Sequence, residues 1–359
     1  MNISLQNFTL KLRDSFRISY ESRDEQELLV VQLSKVNAEG RTITGLGEST
    51  ANNYYGVSIQ KMQAEVEALQ KLIEGYALAD QRLEAGATGT PEDFWQQLSP
   101  HLEQSSFTLC ALDIASHDLY GKMIGLPLYQ LWGLNPADAP TTNYTIGIDS
   151  VDAMLRKMQA QPWPIYKIKL GTPEDLDIVR ALRKNSDAVF RVDANCGWSV
   201  EETIENSRAL SKLGVEFIEQ PLRANDYEGM QEVYQHSALP LIADESCIVE
   251  SDVARCEGQF HGVNIKLTKC GGITPARRMI ENARQRGMKV MVGCMTESTI
   301  GISAIAHLAP LLDYVDMDGA MLLAEDVATG VLITPEGVTF PDENGTGARL
   351  LHRDELQPA

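Results

Sequence analysis

The sequence predicts an α/β protein: a (β/α)₈-type barrel preceded by an α+β unit. Three observations predict it. Short apolar runs recur from Thr141 onward, helical spacing fills each interval between them, and a lysine or an acid marks the end of run after run. The marked positions 169, 193, 219, 244 and 266 stand 24, 26, 25 and 22 residues apart, about one strand–helix repeat each.

Taken in order, residues 1 to about 50 read as a β-meander. Ile3–Leu12 alternates apolar and polar, Glu27–Leu33 forms a second strand, and a third ends at Gly45-Leu46-Gly47-Glu48. Between the first two, Ser15–Gln26 is charge-rich and reads as a loop, as does the aromatic stretch Asn52-Asn53-Tyr54-Tyr55-Gly56. From Ser58 to about Leu131 the spacing turns helical, with breaks near Gly86–Gly89 and Gly125–Pro127. Strands followed by helices make residues 1–125 an α+β unit, and 126–330 the barrel. Residues 331–359 are expected to pack back on that N-terminal unit.

Eight barrel strands are predicted: Tyr144–Ile148, Ile165–Leu170, Val189–Asp193, Val215–Glu219, Leu239–Ala243, Gly262–Leu267, Lys289–Gly293 and Tyr314–Asp318. Thr172-Pro173 and Thr274-Pro275 each place a helix N-cap before a proline, and Ser199–Glu202 is a capping box.

The chain's 359 residues suit one large barrel or two domains, and 43% apolar content supplies a core. A net charge of −19 opposes binding to nucleic-acid phosphates or an anionic membrane. Six scattered cysteines without a C-x-x-C pair indicate a reducing compartment. The first twenty residues contain no apolar leader, and the longest near-apolar run, Thr299–Leu312, is broken by His307 and Pro310. A cytoplasmic protein is expected, with a small-molecule partner and a homo-oligomeric state.

The chemistry is concentrated at the strand ends. Lys167 and Lys169 point to one face of their strand, and a buried pair of ammonium groups needs carboxylates nearby. Asp193, Glu219 and Asp244 close consecutive runs, Lys266 lies in the next but one to Glu219, and Asp316 and Asp318 close the last. A single strand-end acid serves equally well as a helix cap. Three in consecutive units would repel unless a cation sat among them, and all-oxygen ligands select Mg²⁺. Lys169 and Lys266, on strands two and six, would face each other across the barrel. One could take a proton from carbon while the other returns one to the opposite face. The metal and Lys167 would stabilise the resulting enediolate, and Lys167 would lower the pKa of Lys169 by repulsion. Cys294 stands at a strand end beside the expected cleft.

The set Lys167-Ile-Lys169, Asp193-Ala-Asn195, Glu219-Gln-Pro221, Asp244-Glu245-Ser246 and Asn264-Ile-Lys266 resembles the enolase superfamily, muconate-lactonizing subgroup. The likeness extends to Gly47-Glu48 and Tyr55-Gly56 near the start and Ala111–Ala115 through Gly125-Leu-Pro127. It implies a modified (β/α)₇β barrel under a cap completed by the C-terminal tail. By it, Asp193, Glu219 and Asp244 hold Mg²⁺, Lys169 and Lys266 are the acid/base pair, Lys167 assists electrostatically, and Asn195 and Glu245 support the ligands. Asp316-Met317-Asp318 is similar to the pair with which dipeptide epimerases hold a substrate ammonium. That implies inversion of the C-terminal residue's α-carbon in a dipeptide, with L-Ala-D/L-Glu from peptidoglycan turnover as first candidate. Thr145, Tyr55, Cys294 and Arg23 would line the substrate, Arg23 or Arg17 pairing a glutamate side chain. The alternatives are an N-acylamino acid racemase, o-succinylbenzoate synthase or cycloisomerase of the same subgroup, and a non-catalytic metal-dependent binding protein.

Overall fold

The computed structural model describes residues 1–82 and 88–351. Three antiparallel strands open the chain: β1 (Asn2–Arg17), β2 (Ser22–Val36) and β3 (Thr42–Thr50). Past a bulge between Lys11 and Phe16, pairing resumes with Phe16 opposite Arg23 and Arg17 opposite Ser22. Most of the segment expected to be a loop is therefore strand. Its charged side chains Arg17, Asp24 and Glu25 are exposed, and the wholly polar run from Glu21 to Gln26 hides the alternation that Phe16 and Ile18 begin.

Helices α1 (Ile59–Glu74), α2 (Pro91–Leu98) and α3 (Ser106–Ile124) follow, the first two N-capped by the side chains of Ser58 and Thr90. Gly125 ends α3 in the left-handed conformation (φ 77°), where the sequence predicts a break. Gly86, in the other predicted break, lies outside the described residues. Helix α3 is apolar nearly all round and buried along most of its length, because it is packed between β3 and the barrel.

After a one-turn helix α4 (Leu128–Leu131) the barrel begins. Its strands, one to eight, are β4 (Tyr144–Ile146), β5 (Ile165–Lys169), β6 (Val189–Asp193), β7 (Val215–Glu219), β8 (Leu241–Ala243), β9 (Gly262–Lys266), β10 (Lys289–Gly293) and β11 (Tyr314–Asp316). Each predicted run falls on one of them. Between them lie α5 (Val151–Ala160), α6 (Asp175–Arg183), α7 (Val200–Lys212), α8 (Tyr227–His236), α9 (Glu250–Cys256), a single turn α10 (Leu267–Cys270) leading into α11 (Ile273–Gln285), and α12 (Thr299–Leu308). Only a 3₁₀ turn, Gly319–Leu322, follows β11, which makes the barrel (β/α)₇β.

The Ser199–Glu202 capping box is present. Thr172 caps the turn that leads into α6, its Oγ1 accepting from the Glu174 amide at 3.3 Å, whereas the Thr274-Pro275 cap is not formed. Asp175 takes the amide and hydroxyl of Thr172 and α6 starts at Asp175 itself. Thr274 lies inside α11, its amide and hydroxyl bonded to Asp113 of α3.

The ladder runs in unbroken order from β4 to β11. Across the seam between those two, side chains make the joins. Asn143 Nδ2 donates to Asp316 Oδ1 at 2.7 Å, the Met317 amide donates to Thr142 Oγ1 at 3.0 Å, and the Thr145 amide donates to Asp318 Oδ2.

The segment after the barrel forms two small ladders, β12 (Ala328–Thr329) with β15 (Arg349–Leu350) and β13 (Leu332–Thr334) with β14 (Gly337–Thr339). Asp118 of α3 accepts from the Thr346 amide at 2.7 Å and the Leu46 amide at 2.7 Å, which ties this segment to α3 and β3. Residues 352–359 of the tail lie outside the described residues. Among the described residues, no helix is long and apolar enough to cross a membrane.

Candidate active site

Parallel pairing places Lys169, Asp193 and Glu219 on one rung of the barrel, directly opposite one another at the ends of β5, β6 and β7. Asp244 follows β8, and Lys266 ends β9. The carboxylates of Asp193, Glu219 and Asp244 are buried, and each offers an oxygen within 4.8 Å of the other two. Lys169 Nζ lies 2.6 Å from Asp193 Oδ2, and Lys266 Nζ lies 2.8 Å from Asp244 Oδ2. The two amines thus stand on opposite flanks of the acid cluster.

Lys167 lies one rung lower in the barrel. It is 2.8 Å from both Glu219 Oε2 and Asp316 Oδ2 and 3.3 Å from Asp193 Oδ2. Burial works against its charge, but Asp316, Glu219 and Asp193 outweigh burial and hold its pKa well above the ordinary lysine range. At Lys266 burial is outweighed in the same way, chiefly by Asp244, and the pKa is raised. At Asp244 burial is outweighed by Lys266, Lys269 and Lys167, and the carboxyl sits well below its usual range.

Beside the three acids, burial and then the charges of Asp244 and Asp193 push Glu245 up to about 8. Its Oε2, and Oδ1 of Asn195, are buried without hydrogen-bond partners. Asn195 and Cys196 hold positive φ (42° and 63°) just past β6, and Gln220 does so (φ 33°) just past β7. Such backbone is retained where its surroundings over-determine it. Three carboxylate oxygens with two orphaned acceptors beside them form an all-oxygen donor set. A hard divalent cation with its bound water would complete it.

At the far end, Asp316, Asp318 and the Cys294 thiol form a second tight group, again within 4.8 Å. Burial, then the neighbouring Asp316, hold the Asp318 carboxyl well above its usual range. At Asp316 burial is overcome by Lys167, and its pKa is lowered. The cleft is lined by Lys167, Lys169, Lys266, Asp244, Thr145, Cys294, Asp316 and Asp318. Phe16, Ile18, Tyr20, Arg23, Asn52 and Tyr55 of the N-terminal unit wall its other side. Arg17 is not among them; it lines a separate surface groove beside Asp149 and Thr172.

Several supporting side chains are given no role by the sequence reading. Lys269, in α10, is buried and donates to Asp244 Oδ1 at 2.6 Å and to the Cys247 carbonyl at 2.9 Å. Its signal is the i, i+3 spacing from Lys266 across a buried turn. Asn264 Nδ2 donates to Glu219 Oε1 at 2.7 Å, and its signal is the i, i+2 relation to Lys266. Gln220 Oε1 accepts from the amides of Asp244 and Ser246, both at 3.0 Å. Nothing in its local pattern points to this.

Residues 3–133 match the N-terminal domain of the mandelate racemase/muconate lactonizing enzyme family, and residues 149–354 match the enolase C-terminal domain-like family. The chain belongs to the enolase superfamily. This superfamily member is 55% identical to the L-Ala-D/L-amino acid epimerase of Flavobacterium johnsoniae, over 98% of this chain and 100% of that one. It is also similar to the substrate-liganded L-Ala-D/L-Glu epimerase of Bacillus subtilis, with TM-score 0.87, 26% identity and coverage of 97% and 98%. The dipeptide epimerase of Cytophaga hutchinsonii, solved with Mg and the dipeptide D-Ala-L-Val, superposes at TM-score 0.87 with 27% identity, over 99% of this chain and 97% of that one.

Proposed function

We propose that this superfamily member is a Mg²⁺-dependent dipeptide epimerase, an isomerase that inverts the α-carbon of the C-terminal residue by two-base 1,1-proton transfer. One observation carries it: Lys169 and Lys266 flank a single cluster of three buried carboxylates from opposite sides. The likeness to L-Ala-D/L-amino acid epimerases along the whole chain supports the dipeptide as substrate.

Asp193, Glu219 and Asp244 would hold Mg²⁺, with Asn195 and Glu245 supporting them. Bound there, the ion would neutralise the substrate carboxylate and the charge that builds on it. The protein's own groups do the rest. The substrate α-carbon lies between the two amines. One of them, as the free amine, takes the proton, and the other, as ammonium, returns one to the opposite face. Lys167, kept charged by Glu219 and Asp316, faces the carboxylate oxygens and favours the electron-rich state. Asp316 and Asp318, beside Cys294 and Thr145, receive the free α-ammonium, which an N-acylated or non-amino substrate lacks. The cap over residues 1–125 contributes Arg23 and Tyr55 to the side-chain wall, and residues 126–330 carry the chemistry. Six free cysteines suit a cytoplasmic enzyme. The homo-oligomer is checked by its mass in light scattering.

The test is exchange with solvent. Incubated with Mg²⁺ in D₂O, L-Ala-L-X dipeptides should gain one deuteron at the C-terminal α-carbon as both epimers form. Lys169→Ala and Lys266→Ala should each remove epimerisation while the proteins stay folded. An absence of exchange across a broad dipeptide set would refute the proposal, and unchanged activity in Asp318→Asn would redirect it to an N-acylated substrate.

A further inference from the structure

With the α-carbon between Lys169 and Lys266 and the substrate N-terminus toward Asp316 and Asp318, the C-terminal side chain faces the cap. That wall is mostly apolar and aromatic, built from Phe16, Ile18, Tyr20 and Tyr55. Arg23 is the cation it contributes, and the guanidinium is already engaged. Its Nη2 donates to Glu21 Oε2 at 2.6 Å and its Nη1 to Gln26 Oε1 at 2.6 Å.

Both partners are held in place from behind. Gln26 is buried, and its Nε2 donates to the carbonyls of Glu27 and Ala51, each at 2.9 Å. Glu21 Oε1 accepts from Asn53 Nδ2 at 3.3 Å, which links the hairpin end to the aromatic loop. The Glu21 and Arg23 side chains are only 21% and 18% exposed, so water screens the pair weakly. Arg23 therefore enters the cleft with a carboxylate attached, and the pair's charge sums to zero.

A substrate carboxylate arriving here would have to draw Arg23 away from Glu21 and leave Glu21 partly buried without its cation. An uncharged side chain meets no such penalty. An aliphatic one packs on the aromatic wall, and an amide oxygen can accept from guanidinium N–H groups that Glu21 and Gln26 leave unused.

We infer that Glu21, acting through Arg23, is a specificity-determining residue. It directs the enzyme to dipeptides whose C-terminal side chain is uncharged, aliphatic or amide, and away from those ending in Glu or Asp. This rests on the dipeptide reading above.

The experiment compares kcat/KM of the Mg²⁺-loaded enzyme for L-Ala-L-Met, L-Ala-L-Gln and L-Ala-L-Glu, read as α-proton exchange in D₂O. Met and Gln should each exceed Glu by about tenfold or more, the scale of one weakly screened charge contact. Glu21→Gln should raise the Glu-to-Gln ratio by about tenfold, and adding Arg23→Gln should cancel that gain. A wild-type preference for L-Ala-L-Glu over L-Ala-L-Gln overturns the inference and leaves the dipeptide reading standing, as does a ratio that Glu21→Gln fails to move. Exchange with none of the three, nor with a wider dipeptide set, removes both.

Discussion

Lys269 shows how one residue can carry a site without facing it. It is buried, and its ammonium spends its hydrogen bonds on Asp244 and on backbone carbonyls around it. Removing one partner of a buried pair leaves the other charge uncompensated. Lys269→Met should therefore lower unfolding stability by about 3 kcal/mol in urea titrations. If Asp244 is a metal ligand, the same variant should bind Mg²⁺ more weakly in calorimetry, because the carboxylate is no longer held in orientation. Lys167, Lys169 and Lys266 were legible in the sequence because each interrupts or ends an apolar run, where a charge has no structural excuse. Lys269 was not, since it follows the strand by three residues in a turn that ordinarily lies in water. Arg23 was legible as a cap residue, but its pairing with Glu21 depends on a hairpin register that the charge-rich stretch does not announce.

At the scale of elements, the close approach of β3 to α3 sets how the cap meets the barrel. A Cβ at Gly47 would lie 2.0 Å from the Ala111 carbonyl oxygen and 2.5 Å from the Ala115 amide nitrogen, both backbone atoms. Neither can move without shifting α3, whose far side holds Thr274 through Asp113. Gly47→Ala should cost about 2 kcal/mol or more, seen as a lower Tm, the overpacking penalty of a filled core. The barrel strands were readable because parallel strands covered on both faces are continuous apolar runs. Helix starts were less so: Pro173 and Pro275 mark turns near helix ends, but Asp175 and Asp113 decide where the first turn begins.

Over the whole molecule, one buried acid bridges the N-terminal unit and the barrel, and a second buried acid lies beside it. Glu48 of β3 accepts from Ser298 Oγ at 2.5 Å and from the Gly301 amide at 2.9 Å. Glu297 accepts from the Met295 amide at 2.8 Å, and Asp326 and Lys266 also face the pair. Burial, then Glu297, raises Glu48 from 4.5 to about 8, and burial raises Glu297 from 4.5 to about 7. The folded state thus binds these protons more tightly than the unfolded chain. Their stabilisation is complete below about pH 4.5 and is lost as pH rises through 7 to 8. Thermal melts from pH 5.5 to 8.5 should show Tm falling, and Glu48→Gln should flatten that slope; parallel slopes in the two proteins would refute the assignment.

The seam of the barrel has a consequence for how such an enzyme could change partners. Asp316 and Asp318 look into the cleft, yet they are also stitches that fasten the last strand to the first, through Asn143 and the Thr145 amide. A lineage that exchanged them to greet a different molecular end-group would unpick its own closure. Drift toward a new substrate at that end therefore demands replacement fastenings first, whereas the cap side can be rewritten one side chain at a time.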